Sequence, residues 1–173
     1  MQNKILTKGQ GEIAKISVDS IYGYEAFASS SNKKLYIRLL KELMDASVCL
    51  IAYCVLDRSA YVVVKGENKA AVKQYIKNVN YAFSHTFESG KQKIGDALRD
   101  DFSYEKIKSD DLGDVVAFVH RLAPNGRMET YGYCSFDYLM DGSTGGTRII
   151  VTETGANRAE FTQWLNSTIS FFK

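Results

Sequence analysis

Two apolar runs on either side of a short polar break form the most hydrophobic stretch of the chain. The first, Leu50 to Leu56, and the second, Tyr61 to Val64, are rich in Val, Ile, Leu and Tyr, which suit a pleated and largely buried surface. Between them, Asp57-Arg58-Ser59 provides residues that are typical of turns. The pattern predicts a β-hairpin, and we expect the rest of the chain to pack on it.

The periodicity upstream of this hairpin predicts a strand followed by a helix. Ile13 to Asp19 alternates between apolar and polar residues, as expected for a half-buried strand. Ser29 to Asn32 offers side chains that cap helices, and apolar residues then recur at helical spacing up to about Ala46. The apolar positions of this predicted helix are Leu35, Leu39, Leu40, Leu43 and Met44.

The pattern of apolar and polar residues downstream of the hairpin predicts five further elements. A second helix is predicted from Lys69 to about Phe87, a strand from Tyr104 to Lys108, and a third helix from Leu112 to about Leu122. The short apolar run from Thr147 to Thr152 indicates a final strand. Apolar residues at helical spacing from Asn157 to Phe172 indicate a closing helix.

This order of elements predicts an α+β fold, a ferredoxin-like antiparallel sheet with helices packed on one face. We expect residues 1–12 to be a polar lead-in and residues 13–173 to form a single domain that ends in the closing helix. With 173 residues, 45% of them apolar or aromatic and 24% charged, the chain fits one domain with a real core. No apolar run approaches the roughly 18 to 20 residues that cross a bilayer, and the N-terminus lacks the apolar segment of a signal peptide, so a cytoplasmic location is predicted.

The cysteines do not indicate a metal site. The chain has three cysteines, Cys49, Cys54 and Cys134, which cannot all pair with one another and show no CxxC spacing. We therefore expect buried thiols in a reducing compartment. The two histidines, His85 and His120, fall on different predicted helices, and we expect both to be structural or surface residues. No cofactor and no metal are predicted.

The distribution of positive charge is more informative than the net charge of +2, which does not by itself indicate a nucleic-acid partner. Lys69, Lys73 and Lys77 stand at i, i+4 and i+8 on the second predicted helix. Such a lysine ladder can follow a phosphate backbone, and Tyr81, Phe87 or Tyr104 can provide a surface for stacking. The same spacing also fits the solvated face of an amphipathic helix, and the two interpretations stay open.

The hairpin also resembles a family signature. In the single-tyrosine transposases of the HUH endonuclease superfamily, including those associated with repetitive extragenic palindromes (REP), it is approximately AYCLMPNHVHLLV. Ala52 to Asp57 follows that pattern, and Val62 to Val64 resumes it. Leu98 to Glu105 is similar to the family's FQDRFKSE segment, and Tyr131 to Leu139 is similar to its WxxSSYxxYL segment. The resemblance covers roughly residues 13 to 140 and implies the same fold.

The resemblance implies a catalytic site that this chain has lost. The two metal-binding histidines of the family would fall on Ser59 and Tyr61. The third helix, close to YIHLNPV in relatives, has Phe118 at the position of the nucleophilic tyrosine and Leu122 at a further metal ligand. Phenylalanine has no hydroxyl to attack a phosphodiester, and Ser, Tyr and Leu form a poor ligand set for a divalent metal. We therefore expect no enzyme activity.

Three hypotheses for the function follow. The first is a catalytically inactive transposase-like protein, derived from a mobile element and used as a regulator, that binds single-stranded or hairpin DNA. The second is a protein interaction or scaffold domain without nucleic-acid binding, for example a homodimer through its sheet edge, and the near-balanced charge favours it. The third is an active metal-dependent transposase in which Tyr61 or another tyrosine has become the nucleophile. The DNA-binding residues expected under the first are Arg58, Tyr61, Lys69, Lys73 and Lys77.

Overall fold

The computed structural model describes residues 8–21, 24–88, 98–99, 101–128, 130–140 and 144–170. Two short 3-10 turns, Ser109–Asp111 and Pro124–Gly126, flank the third helix. The strands are β1 (Glu12–Asp19), β2 (Val48–Val55), β3 (Ser59–Gly66) and β4 (Ser103–Ile107). The helices are α1 (Ser30–Glu42), α2 (Lys69–Glu88), α3 (Leu112–Arg121), α4 (Phe136–Met140), α5 (Gly145–Thr154) and α6 (Arg158–Ser170).

The four strands form one antiparallel sheet in the order β2-β3-β1-β4. With α1 between β1 and β2 and α2 between β3 and β4, the chain follows the β-α-β-β-α-β order of ferredoxin-like folds. The hairpin of β2 and β3 lies at one side of this sheet, and β1 lies between β3 and β4. The predicted fold class is confirmed.

Helices α1 and α2 cover what we call the first face of the sheet. The side chain of Ser29 accepts a hydrogen bond from the Asn32 N–H and caps α1, as the sequence predicts. Phe27, Tyr36 and Phe83 pack in a three-ring cluster, with ring centroids 4.9 to 5.4 Å apart. These contacts fix α2 against the sheet and therefore determine where its exposed lysines lie.

The second face of the sheet is also covered, by α3, α5 and α6. Every residue of β2 is buried, so this strand is apolar toward both faces and needs packing partners on both. On the second face Ile51 of β2 joins a cluster with Leu112, Ile149 and Phe161 from these three helices. The prediction that the helices pack on one face is therefore corrected, because α1 and α2 cover the first face and α3, α5 and α6 cover the second.

The predicted final strand, Thr147 to Thr152, is wrong, because these residues lie inside α5. Thr144 caps the helix by accepting a hydrogen bond from the Thr147 N–H, and Gly155, at φ +74°, ends it in the left-handed region. The helix also packs unusually close to β2, since a Cβ on Gly146 would come within 2.5 Å of the Ile51 carbonyl oxygen. These cap and packing contacts outweigh the strand preference of the β-branched residues.

The remaining predicted elements agree with the structure to within a few residues, and two features lie outside the predictions. Helix α4 was not predicted. Residues 133–135 pair with the outer edge of β2: the Val55 N–H donates to the Tyr133 carbonyl at 2.9 Å, and the Ser135 N–H donates to the Tyr53 carbonyl at 2.8 Å. Phe172 lies outside the described residues.

The other sequence predictions concern the cysteines, the lead-in and the membrane. The three cysteines are buried thiols, as predicted. The Gly9 N–H lies 3.4 Å from the Glu153 carboxylate, so the described part of the lead-in contacts α5. Among the described residues no helix has the length and apolar character to cross a membrane. The division at residue 12 and the cytoplasmic location stay predictions.

Candidate nucleic-acid interface

The four residues at the family's catalytic positions lie on the second face of the sheet. Tyr61 on β3 and Leu122 at the end of α3 pack against the apolar cluster of this face. Ser59 is two residues before Tyr61 on the same strand and therefore points to the same side. Phe118 on α3 is 45% exposed, and the Lys15 ammonium of β1 lies 5.1 Å from its ring centroid. All four positions therefore lie on the same side of the sheet, and their assignment to a catalytic site stays a prediction.

The polar groups around these positions are engaged with one another. Ser59 donates a hydrogen bond to the Asp19 carboxylate at 2.8 Å, and Lys15 forms an ion pair of 2.5 Å with Glu105. In the part of the chain that the structure describes, no three His, Cys, Asp or Glu side chains converge in a way that could hold a metal ion. The groups that remain on this surface are hydroxyls, one ion pair and an exposed phenyl ring.

The two histidines lie in layers on opposite sides of the sheet. His85 is exposed on α2 over the first face, and His120 is fully buried on α3 over the second. The Ser135 hydroxyl oxygen accepts from the Tyr53 N–H and lies 2.8 Å from His120 Nε2. Burial lowers the pKa of His120 to about 4, so this imidazole is neutral near pH 7. It supports the segment that covers the edge of β2, which is the structural role expected from the sequence.

Arg58 lies in the turn of the hairpin. Its side chain is 71% exposed and forms an ion pair of 2.9 Å with Glu25. Beside it, Asp57 accepts a 2.5 Å ion pair from the buried side chain of Lys33 on α1. Both acids reduce the local positive charge, so Arg58 is a weak anion site by itself.

The lysine ladder lies on the opposite side of the sheet from Tyr61. Lys69, Lys73 and Lys77 are all exposed on α2, over the first face. The ammonium groups of Lys69 and Lys73 lie 5.1 and 5.8 Å from the ring centroid of Tyr104 on β4. The five residues predicted to bind DNA therefore form two separate surfaces, with Arg58 and Tyr61 apart from the ladder.

Tyr104 is held in place from its other end. Its hydroxyl donates a short hydrogen bond to the Glu12 carboxylate. Burial, followed by this bond, raises the pKa of Tyr104, and the bond lowers the pKa of Glu12. A fixed ring beneath two lysines orders their positive charges along the helix. The sequence alone did not indicate this contact between the lysines and Tyr104, because residues 69 and 104 are far apart in the chain.

The ladder continues along α2 into two aromatic residues. Tyr81 and His85 follow Lys77 at the same four-residue spacing, and their rings stack with centroids 4.1 Å apart and planes at 34°. They line a cleft of about 530 Å³, which α2 forms together with Leu98, Arg99 and Phe102. The sequence identified Tyr81 as a stacking surface and Lys77 as part of the ladder, but it did not indicate the remaining lining residues. The four-residue spacing that continues from Lys77 through Tyr81 could have identified His85 as a further residue of this surface.

No protein-family model matches the chain, and no curated protein matches it. Among solved structures, that of the REP-associated tyrosine transposase bound to a REP hairpin is similar, with a TM-score of 0.62 and 9% sequence identity. The match covers 76% of this chain and 81% of that chain. At this identity the likeness shows that the two proteins share a fold.

Proposed function

We propose that this chain is a transposase-like protein that binds single-stranded or hairpin DNA without catalysing transposition. The observation that carries the proposal is the lysine ladder of α2, displayed on the same fold as a transposase whose structure was solved with a DNA hairpin. A role as a regulator derived from a mobile element fits this combination.

The α2 surface supports DNA binding better than the hairpin surface does. Lys69, Lys73 and Lys77 are exposed at intervals of about 6 Å along the helix axis. Each position can contact a separate phosphate, and such contacts release counterions and provide affinity without sequence specificity. Arg58, in contrast, is paired with Glu25. We therefore place the DNA along α2 rather than across Tyr61.

The absence of catalysis is proposed from the chemistry of the second face. Phe118 occupies the position that the resemblance assigns to the nucleophile, and a phenyl ring cannot form a phosphotyrosyl bond. Ser59 and Tyr61 stand where the resemblance places histidine ligands, and the Ser59 hydroxyl is already bound to Asp19. The protein interaction hypothesis differs in one testable respect, since it requires no affinity for any nucleic acid.

Replacing Lys69, Lys73 and Lys77 with glutamate is expected to abolish DNA binding. Three phosphate contacts predict that wild-type affinity falls about 20- to 40-fold between 50 and 200 mM salt. Fluorescence anisotropy with labelled hairpin, single-stranded and duplex DNA measures both effects. The matched control replaces Lys8, Lys34 and Lys108, which are also exposed, and produces the same change in net charge. Equal losses in the two variants would remove the ladder from the proposal, and no binding by the wild type would favour the interaction domain.

No covalent protein–DNA adduct is expected when the wild-type chain is incubated with hairpin DNA and Mg²⁺ or Mn²⁺. The Phe118→Tyr variant is also expected to form none, because Ser59, Tyr61 and Leu122 remain unsuited to metal binding. Denaturing gel electrophoresis with labelled DNA detects such adducts. An adduct that the wild type forms and Tyr61→Phe does not would contradict the proposal and identify Tyr61 as a substitute nucleophile.

A further inference from the structure

Tyr81 is the most exposed large hydrophobic side chain of the described residues. It is 66% exposed, whereas the other three, Leu43, Phe118 and Met140, range from 38 to 45%. A tyrosine on the solvent side of a long helix does not stabilise the core, and the Tyr81 ring stacks on His85. An ordered aromatic pair on the surface is suited to bind another flat ring.

The cleft beside Tyr81 has a size and lining that fit one nucleotide. Its volume of about 530 Å³ is within the range of small-molecule sites. The apolar part of the lining is the buried Leu98 and the half-buried Phe102. The polar and charged lining consists of Gln74, Lys77, Asn78, Asn80, Ser84, His85 and Arg99.

The hydrogen bonds within this lining leave cations available for a phosphate. Lys77, the last lysine of the ladder, is exposed and lines one end of the cleft. Arg99 is paired with Asp101 at 3.0 Å, but both side chains are more than half exposed, and ion pairs of this kind exchange readily. Gln74 donates to Asn78 at 2.8 Å, and Asn80 accepts from the Tyr36 hydroxyl at 2.8 Å, so the amide groups are ordered. Positive charge at the rim and an apolar, aromatic interior match a nucleotide's phosphate and base.

The spacing along α2 connects this cleft to the ladder. Lys69, Lys73, Lys77, Tyr81 and His85 follow one another at four-residue intervals, so they form a single ridge with steps of about 6 Å along the axis. Steps of this length are comparable to the separation of successive phosphates in an extended single strand. A strand whose phosphates follow the three lysines is thereby led to the aromatic end of the ridge.

We propose that the Tyr81 cleft binds an unpaired nucleobase, stacked on the Tyr81 ring, while the adjoining phosphates contact Lys77 and the rest of the ladder. This inference rests on the proposed function and specifies it, because it makes unpaired bases the preferred ligand. Base stacking on aromatic side chains tolerates every base, so the site selects single-stranded segments and hairpin loops rather than a sequence.

The Tyr81→Ala variant is expected to bind single-stranded DNA between about 5- and 100-fold more weakly, and blunt duplex DNA as the wild type does. Tyr81→Phe keeps the ring and is expected to retain affinity. Phe118→Ala is the matched control, because it removes another exposed aromatic ring from the opposite face of the sheet. The measurement is a fluorescence-anisotropy titration of labelled oligothymidylate, a DNA hairpin with an unpaired loop, and a blunt duplex, repeated with oligouridylate.

A second readout reports on the base itself. A single 2-aminopurine in the oligothymidylate is expected to lose fluorescence on binding to the wild type and Tyr81→Phe, and to lose much less with Tyr81→Ala at saturating protein. Unchanged affinity and unchanged quenching in Tyr81→Ala would overturn the cleft assignment while ladder-dependent binding persisted. No binding of any probe by the wild type would overturn the proposed function first.

Equal results with oligothymidylate and oligouridylate would support a base site that does not distinguish DNA from RNA, and a difference between them would identify which one the cleft binds.

Discussion

Replacing Glu153 with glutamine is expected to lower the free energy of unfolding by about 3 to 5 kcal/mol. The Lys65 ammonium lies 2.5 Å from the Glu153 carboxylate, and both side chains are only 1% exposed. Burial alone raises the pKa of Glu153, but hydrogen bonds from Lys65, Ser109 and the Gly9 N–H, together with the charge of Lys65, outweigh it and hold that pKa below its usual value. The amide of glutamine removes the charge that compensates a buried ammonium, which is why the expected loss is large.

Urea unfolding at pH 7, followed by circular dichroism, measures this loss against a matched control. Glu105→Gln removes a carboxylate that also lies 2.5 Å from a lysine, Lys15, but is 58% exposed. It is expected to cost less than about 1 kcal/mol. The double variant Lys65→Met with Glu153→Leu removes both charges and is expected to recover most of the loss. Equal effects of Glu153→Gln and Glu105→Gln would contradict the assignment of Lys65 and Glu153 as a buried, mutually dependent pair.

This ion pair illustrates what local sequence patterns cannot predict. In the sequence Lys65 is one of several lysines that follow the hairpin, and nothing near it distinguishes it from the exposed lysines of α2. Its partner is 88 residues away, on a helix that the pattern predicts to be a strand. Burial of a charge depends on which elements meet in space, and periodicity within one element does not determine that.

The elements that were predicted well are those with a strong local signal. The alternation in β1 and the apolar stripe of α2 each determine which face of the element is buried, and the two runs of the hairpin indicate largely buried strands. The structure confirms all three. Helix α5 was missed because Ile149, Ile150 and Val151 favour strands locally, while the cap from Thr144 and the contact of Gly146 with β2 depend on the surrounding structure.

The candidate site likewise contains residues that the sequence identified and residues that only the structure brings together. The resemblance placed Ser59, Tyr61, Phe118 and Leu122, and the structure gathers them on the second face. The ladder was identified by its spacing, but the sequence did not indicate that the sheet separates it from Tyr61. Neither Tyr104 beneath the lysines nor Arg99 in the cleft follows from local pattern, since both come from the part of the chain beyond α2. The proposed DNA surface along α2 therefore lies apart from the second face, and substitutions at Ser59, Tyr61, Phe118 or Leu122 are expected to leave it intact.

Acidification is expected to destabilise the protein through His120, by up to about 3 kcal/mol between pH 6.5 and pH 4. Burial lowers the pKa of His120 from 6.5 to about 4 in the folded state. Over this interval the unfolded chain binds a proton that the folded chain excludes, so the free energy of unfolding falls as the pH falls. Above pH 7 the imidazole is neutral in both states, and the effect vanishes.

The His120→Gln variant isolates this contribution from that of the carboxylates. Glutamine can still hydrogen-bond to Ser135 but does not titrate, so the variant is expected to be less stable at pH 7 and to lose little further stability down to pH 4.5. His85→Gln is the matched control, because His85 is exposed on α2 and its replacement removes the only other imidazole. Urea unfolding at pH 7.5, 6, 5 and 4.5 gives the slopes for the three proteins. A pH slope in His120→Gln as steep as that of the wild type would show that His120 does not titrate as a buried group, whereas a shallower slope in this variant alone would establish that the folded protein buries His120 in its neutral form.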